Sequence, residues 1–242
     1  MTYSISVIVP FFNEEKYIEK SVKRLIETKL FNQVILVNDG STDKSPKIAI
    51  QLSENYENVQ LISLKAKQGK GNAIKVGLKK IKTSHVIIHD ADLEYFPSDI
   101  SEMFDIAKIN QKSLILGSRT IGSKKRINQY KITYLANKYY SIFFSIINFY
   151  KVSDIASCYW LLETELLKQL NIKEKGFAIE VEVLSKYLKL YSNIIEVPIS
   201  YEGRQYSEGK KIKIYDGLNI LYKIIIYSKL NPFFNFRKLK GD

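Results

Sequence analysis

The chain has 242 residues, 45% of them hydrophobic and 26% charged, and its 37 Lys and Arg against 25 Asp and Glu give a formal net charge of +12. That length and balance support one large folded domain and exclude intrinsic disorder, while the lone cysteine, Cys158, excludes an internal disulfide framework and a cysteine-built zinc site. The positive charge favours polyanionic partners: nucleic acid, an anionic membrane surface or a phosphorylated substrate.

In chain order, short apolar runs alternate with helical patterns, the signature of βαβ units and a mostly parallel α/β sheet. Strands are expected at residues 5–9, 34–37, 59–64, 86–89 and 113–116, with helices at about 15–30, 46–55, 72–81 and 98–110. Asn13 is placed to cap the first helix, and Pro46 sits in the first turn of the second behind Asp43 and Ser45. Tyr17 or Ile18, Val22, Leu25 and Ile26 share a helical face that should pack on the sheet. The N-terminus enters a strand with no basic and apolar leader, so the expectation is a protein held inside the cell.

Beyond Arg119 the character changes. A basic stretch, Lys124-Lys125-Arg126, precedes residues 132–150, seven of which are Tyr or Phe and which Asn137, Lys138 and Asn148 interrupt. Aromatic residues prefer the membrane interface, so a helix lying in that interface is expected, not a span. Residues 218–230 repeat the theme with Leu218, Leu221, Tyr222, Ile225 and Ile226 beside Lys223 and Lys229. Phe233, Phe234, Phe236, Arg237, Lys238 and Lys240 follow. The same patterns also suit ordinary amphipathic helices packed on the domain or on a second subunit, which leaves room for a homo-oligomer.

Three strand ends offer polar residues to one crevice: Pro10 to Glu14, Asn38-Asp39-Gly40-Ser41, and Asp90-Ala91-Asp92. In open α/β sheets ligands bind beyond the carboxyl ends of the strands, and two carboxylates one residue apart suit a hard cation that keeps open positions for phosphate oxygens. Asp39 follows the second strand, where an acidic side chain accepts from ribose hydroxyls or a base edge; a turn Asp before Gly40 is the plain alternative. Gly69-Lys70-Gly71 opens a helix in the manner of a phosphate cradle, without the glycine spacing of a P-loop. His85 and His89 alternate along the fourth strand and read as packed residues, not as acids or bases.

These residues resemble a family. Ser6 to Pro10 with Asn13-Glu14-Glu15, Val37 to Asp43, Gly69-Lys70-Gly71 with Ala73, and Asp90-Ala91-Asp92-Leu93 resemble, in order and spacing, the family 2 glycosyltransferases with a GT-A fold. Gly117-Ser118-Arg119, Asp154, Ser157, Val197 to Tyr201, Arg204, Glu208 to Ile212 and Asp216-Gly217 are similar to the dolichol-phosphate mannosyltransferase and polyprenyl-phosphate glycosyltransferase branch. Departures are Glu94, Tyr95 and Phe96 where that branch often has Gln-His-Pro, and Cys158 and Trp160 in place of Gly and a basic residue.

The resemblance implies a GT-A catalytic domain over residues 1–213, including the interfacial helix at about 130–151, and an amphipathic juxtamembrane helix with a basic tail over 214–242. It implies that Pro10, Asn13, Glu14, Asp39, Lys70, Gly71, Asp90, Ala91 and Asp92 hold a UDP- or GDP-sugar. Asp90 and Asp92 would carry Mg²⁺ or Mn²⁺, and Arg119, Arg126, Arg204 and Lys210 would face the phosphate of a polyprenyl-phosphate acceptor. Asp92, Arg119 and Arg204 are the expected catalytic set. The expected reaction is inverting hexosyl transfer at the cytoplasmic face of a membrane, with no nucleic-acid partner. The nearest rival, transfer to a sugar hydroxyl, needs a carboxylate base, for which Asp154, Glu180 and Glu182 are the candidates.

Overall fold

The computed structural model describes residues 3–127, 131–204 and 214–231. In chain order the elements are β1 (Ile5–Phe11), α1 (Ile18–Glu27), β2 (Gln33–Asn38), α2 (Ser45–Asn55), β3 (Val59–Ser63), α3 (Lys70–Leu78), β4 (His85–Ile88), α4 (Asp99–Ile109) and β5 (Leu114–Ser118). They continue with β6 (Arg126–Ile127), α5 (Lys131–Asn148), β7 (Trp160–Glu163), α6 (Thr164–Gln169), α7 (Ile179–Leu190), β8 (Ile194–Pro198), β9 (Tyr201–Glu202) and α8 (Ile214–Tyr227). Seven strands form one sheet in the order β3-β2-β1-β4-β7-β5-β8, and β6 pairs with β9 beside it. All neighbours in the large sheet are parallel except β7, which runs antiparallel to β4 and β5.

The central strands are buried on both faces, which is why they read as unbroken apolar runs in sequence. Alternate residues of β1 supply two cores. Ile8 joins Ile35, Val37, Val86 and Ile88 on the face covered by α3, α5, α6 and α7, whereas Val7 and Val9 join Val34, Leu36 and Ile87 under α1, α2 and α4. Ile18, Val22 and Leu25 are fully buried on α1, as their spacing requires. The helix itself starts at Ile18, not at 15. Asn13 does not cap it: its backbone is left-handed at φ 53° and its Oδ1 accepts the Thr42 N–H at 2.8 Å, tying the end of β1 to the turn after β2. Pro46 does occupy the first turn of α2.

The order in which strands are added reverses between β1 and β4, which are parallel neighbours, so the carboxyl ends of β1, β2 and β4 open onto one crevice. The two aromatic stretches are helices, α5 and α8. On α5, Ile132, Leu135, Tyr139, Ile142 and Ile146 are exposed at alternating spacings of three and four, forming one apolar stripe, and Phe149, just past the helix end, is exposed as well. Leu218, Tyr222 and Ile225 are exposed on α8, while its Ile224 and Tyr227 are buried. Among the described residues no helix is long and apolar enough to cross a membrane. Lys210, the rest of the 205–213 segment and the Phe- and Lys-rich tail from 232 lie outside the described residues.

Candidate active site

Each predicted residue can be followed from its element. Pro10 is buried in β1 opposite Val37, and Phe11 ends the strand opposite Asn38. Glu14 follows in a turn and is 7% exposed. Asp39, 3% exposed at the end of β2, accepts the N–H groups of Gln68 at 2.7 Å and Gly69 at 2.8 Å. Both of its oxygens therefore hold the turn that opens α3.

That turn is closely built. Gly69 has φ 98°, and a Cβ on it would lie 2.3 Å from the Lys175 carbonyl oxygen; on Gly71 it would lie 2.6 Å from that of Glu174. The backbone of residues 174–176 packs onto the turn, and Glu182 holds the start of that segment by accepting the N–H groups of Lys173 at 2.7 Å and Glu174 at 2.6 Å. Gly69→Ala combines a left-handed backbone with a backbone collision, and is expected to cost roughly 2–3 kcal/mol of stability and to weaken nucleotide binding. Urea denaturation and a nucleoside diphosphate titration check this, and an unchanged midpoint with unchanged affinity would contradict it.

Lys70, the first residue of α3, spans the crevice. Its ammonium lies 2.9 Å from Asp90 and 2.8 Å from Glu180, with 12% of the side chain exposed. Burial disfavours the charge, yet Asp90 and Glu180 outweigh it and hold Lys70 well above the usual lysine range. Glu180 sits in the first turn of α7, and its second oxygen, Oε2, is buried without a hydrogen-bond partner among the described residues. This ion pair joins the end of β4 to α7, and in sequence Glu180 stands out only as a candidate base.

Asp90 and Asp92 leave β4 with Ala91 buried between them. Their side chains are 25% and 15% exposed, so both remain open to a ligand. Arg204 lies across the second of them. Its Nη2 is 3.1 Å from Asp92, its Nη1 3.1 Å from Glu14 and its Nε 3.7 Å from Glu94. Glu94 also accepts from Tyr201 Oη at 2.7 Å and from the Arg204 N–H at 2.9 Å, so this departure from the family pattern anchors the segment after β8 to the turn after β4. Burial, then the neighbouring Glu94 and Asp90, push the Asp92 carboxyl up to about 8.

Arg119, at the end of β5, donates from its backbone N–H, Nε and Nη2 to Asp154 at 2.8–2.9 Å. Asp154 is fully buried and also accepts from Asn137 of α5 at 2.7 Å. Burial alone would raise its carboxyl, but Arg119 prevails and holds it below the usual range. Arg126 turns back to the carbonyls of Ile121 and Gly122. His89 bonds to Ser21 at 3.0 Å and Tyr159 at 2.8 Å, and burial lowers it to about 4, so it stays neutral and structural, as the strand pattern implied. Trp160 is wholly buried in the core.

Among the described residues no three His, Cys, Asp or Glu side chains form a metal-holding group. The local chemistry nonetheless fits a divalent cation: Asp90 and Asp92 supply hard oxygen donors one residue apart, and both side chains are partly exposed. Two protein ligands would leave the remaining positions to a diphosphate.

The sequence profile of glycosyl transferase family 2 matches residues 6–170. The chain belongs to this family. Among similar proteins is the UDP-N-acetylglucosamine–dolichyl-phosphate N-acetylglucosaminyltransferase of Methanococcus voltae, 29% identical over 241 residues that cover 92% of this chain and 95% of that one. The dolichol-phosphate mannosyltransferase of Pyrococcus furiosus is 28% identical over 228 residues, covering 91% of this chain and 63% of that one. In fold, the family 2 chain superposes on the glucosyl-3-phosphoglycerate synthase of Mycobacterium tuberculosis with a TM-score of 0.72 at 19% identity, covering 93% of this chain and 80% of the other. That enzyme has been crystallised with Mn²⁺, UDP and glucosyl-3-phosphoglycerate and with Mg²⁺ and UDP.

Proposed function

We propose that this glycosyltransferase is an inverting enzyme that moves a hexose from a UDP- or GDP-sugar to a polyprenyl phosphate at the cytoplasmic face of a membrane. One observation carries the acceptor assignment: the carboxylates around the 90–92 turn, with Glu180 and Asp154, are ion-paired, and Asp39 is occupied by the Gln68 and Gly69 N–H groups. Asp90 and Glu180 share Lys70, while Glu14, Asp92 and Glu94 share Arg204, and Asp154 is bound to Arg119. A sugar hydroxyl needs a base to take its proton, whereas a lipid phosphate, with a second pKa of about 6, arrives already charged. The names of the M. voltae and P. furiosus relatives support the same acceptor class.

In this reading, Pro10, Asn13, Glu14, Asp39, Lys70, Gly71 and the 90–92 turn cradle the nucleotide sugar. Asp90 and Asp92 would hold Mg²⁺ or Mn²⁺, which when bound supplies positive charge to the diphosphate leaving group. Arg119, Arg126, Arg204 and Lys210 offset the repulsion between donor and acceptor phosphates. An acceptor phosphate oxygen bonds to the anomeric carbon as that carbon's bond to the diphosphate oxygen breaks, so an α-linked donor gives a β-linked product and a free nucleoside diphosphate. The apolar stripe of α5, with the exposed side of α8, supports peripheral attachment through interfacial helices, the 214–242 segment being the juxtamembrane part.

Purified protein, Mg²⁺ or Mn²⁺, undecaprenyl or dolichyl phosphate and a panel of radiolabelled UDP- and GDP-sugars test this directly. Label extracted into organic solvent from one donor and lost with EDTA is the expected result. A donor that binds or is hydrolysed while no lipid is labelled would overturn the acceptor.

A further inference from the structure

The two acidic positions best placed to bind a divalent cation are each already covered by a cation of the chain. Lys70 covers Asp90. Its ammonium is fixed from below by Glu180, and its stem leaves the start of a helix whose turn is clamped by Asp39 and the 173–176 backbone. Arg204 covers Asp92 and is mounted differently. It follows β9, a two-residue strand, and its guanidinium rests against Glu14, Asp92, Glu94 and, at 5.3 Å from the ring centre, Tyr17. Its Nε is buried without a hydrogen-bond partner among the described residues, so the fork is held by charge more than by a complete set of bonds.

We infer that Arg204 and the divalent cation compete for Asp92, so that Arg204 is an internal counter-ion which makes metal loading depend on the nucleotide. Without a diphosphate, a cation arriving at Asp92 must displace the guanidinium from that carboxylate, and Arg204 would lose one of its three carboxylate contacts in a largely buried place. A bound diphosphate changes both sides of that exchange. Its oxygens complete the coordination of the cation and bring anionic charge for the displaced Arg204 to face. Lys70 does not take part, because Glu180 keeps it in place.

This inference rests on the metal assignment of the proposed function but is tested apart from it. Mn²⁺ binding is measured by the loss of the free-ion electron paramagnetic resonance signal, in wild type, Arg204→Gln and Arg204→Lys, with neither nucleotide nor lipid present. Arg204→Gln is expected to bind Mn²⁺ about tenfold more tightly than wild type, the worth of one charge-assisted hydrogen bond relieved from competition. Arg204→Lys, with one compact charge in place of a fork, falls between them and serves alone if the glutamine variant does not fold. Equal or weaker Mn²⁺ binding by the variant in hand overturns the competition. Because no donor or acceptor enters the titration, a failure here leaves the lipid-labelling result untouched, and absence of lipid labelling leaves this titration interpretable.

Discussion

Asp92→Asn is expected to abolish metal-dependent sugar transfer, by about 10³-fold or more, while leaving the protein folded and more stable above neutral pH. The first half follows from position: Asp92 is one of the two partly exposed carboxylates at the mouth of the crevice, and asparagine keeps its shape without its charge. The second follows from linkage. Burial and the nearby Glu94 and Asp90 raise the folded-state carboxyl from 3.8 to about 8. The proton it keeps therefore stabilises the fold fully below about pH 4, and that contribution is lost as pH rises through about 8. Melting curves of wild type from pH 5 to 8 should fall on this account. Those of Asp92→Asn should fall less, with a difference of about 2–4 °C for each kcal/mol relieved in a chain of this size. Mn²⁺ with UDP or GDP should restore the wild type at pH 8 and leave the variant unmoved. Retained turnover in Asp92→Asn, or a variant that melts lower than wild type at pH 8, would remove Asp92 from the centre of the site.

The parts of the fold that were legible in the sequence are those whose burial leaves a simple pattern. β1 to β5 are short apolar runs because their central members are covered on both faces, and α1 shows a stripe because only one side of it is buried. α7 left no such stripe. Nearly the whole helix is buried, including Glu180, Glu182, Ser185 and Lys186, and the pairing of Glu182 with Lys186 lets charged residues occupy core positions that a periodicity argument assigns to solvent. β7 is four residues long and is inserted antiparallel between β4 and β5, so neither its length nor its place follows from local alternation.

At the site, residue types and strand-end positions were readable, but partnerships were not. Arg204 was expected on an acceptor phosphate and lies on Glu14, Asp92 and Glu94, 190, 112 and 110 residues away in sequence. Lys70 was expected on the nucleotide and lies between Asp90 and Glu180. A sequence motif fixes which side chains reach a crevice; which opposite charge each one meets is decided by segments that share no local pattern with it.

Asp154→Asn is expected to destabilise the fold by about 3–5 kcal/mol, because it leaves the Arg119 guanidinium buried without its counter-charge. Asp154 has no exposed surface and receives three bonds from Arg119 and one from Asn137, which joins β5 to α5. The sign of its titration agrees: Arg119 keeps the carboxyl below its usual value, so the stability it contributes is present above about pH 4 and is lost as pH falls through the lowered value. This separates the two acceptor readings. A general base for a sugar hydroxyl must shed its charge partner and take a proton near neutral pH, which a carboxylate locked to an arginine does poorly. If Asp154 is a structural counter-ion, Asp154→Asn lowers the urea midpoint sharply. The fraction that stays folded below its transition then still transfers sugar, with a loss no greater than the displacement of Arg119 imposes. If Asp154 is the base, the midpoint barely moves and turnover vanishes. Measuring the urea midpoint and single-turnover transfer on the same preparation decides between them, and a stable, inactive Asp154→Asn would return the acceptor to a hydroxyl and end the case for a lipid phosphate.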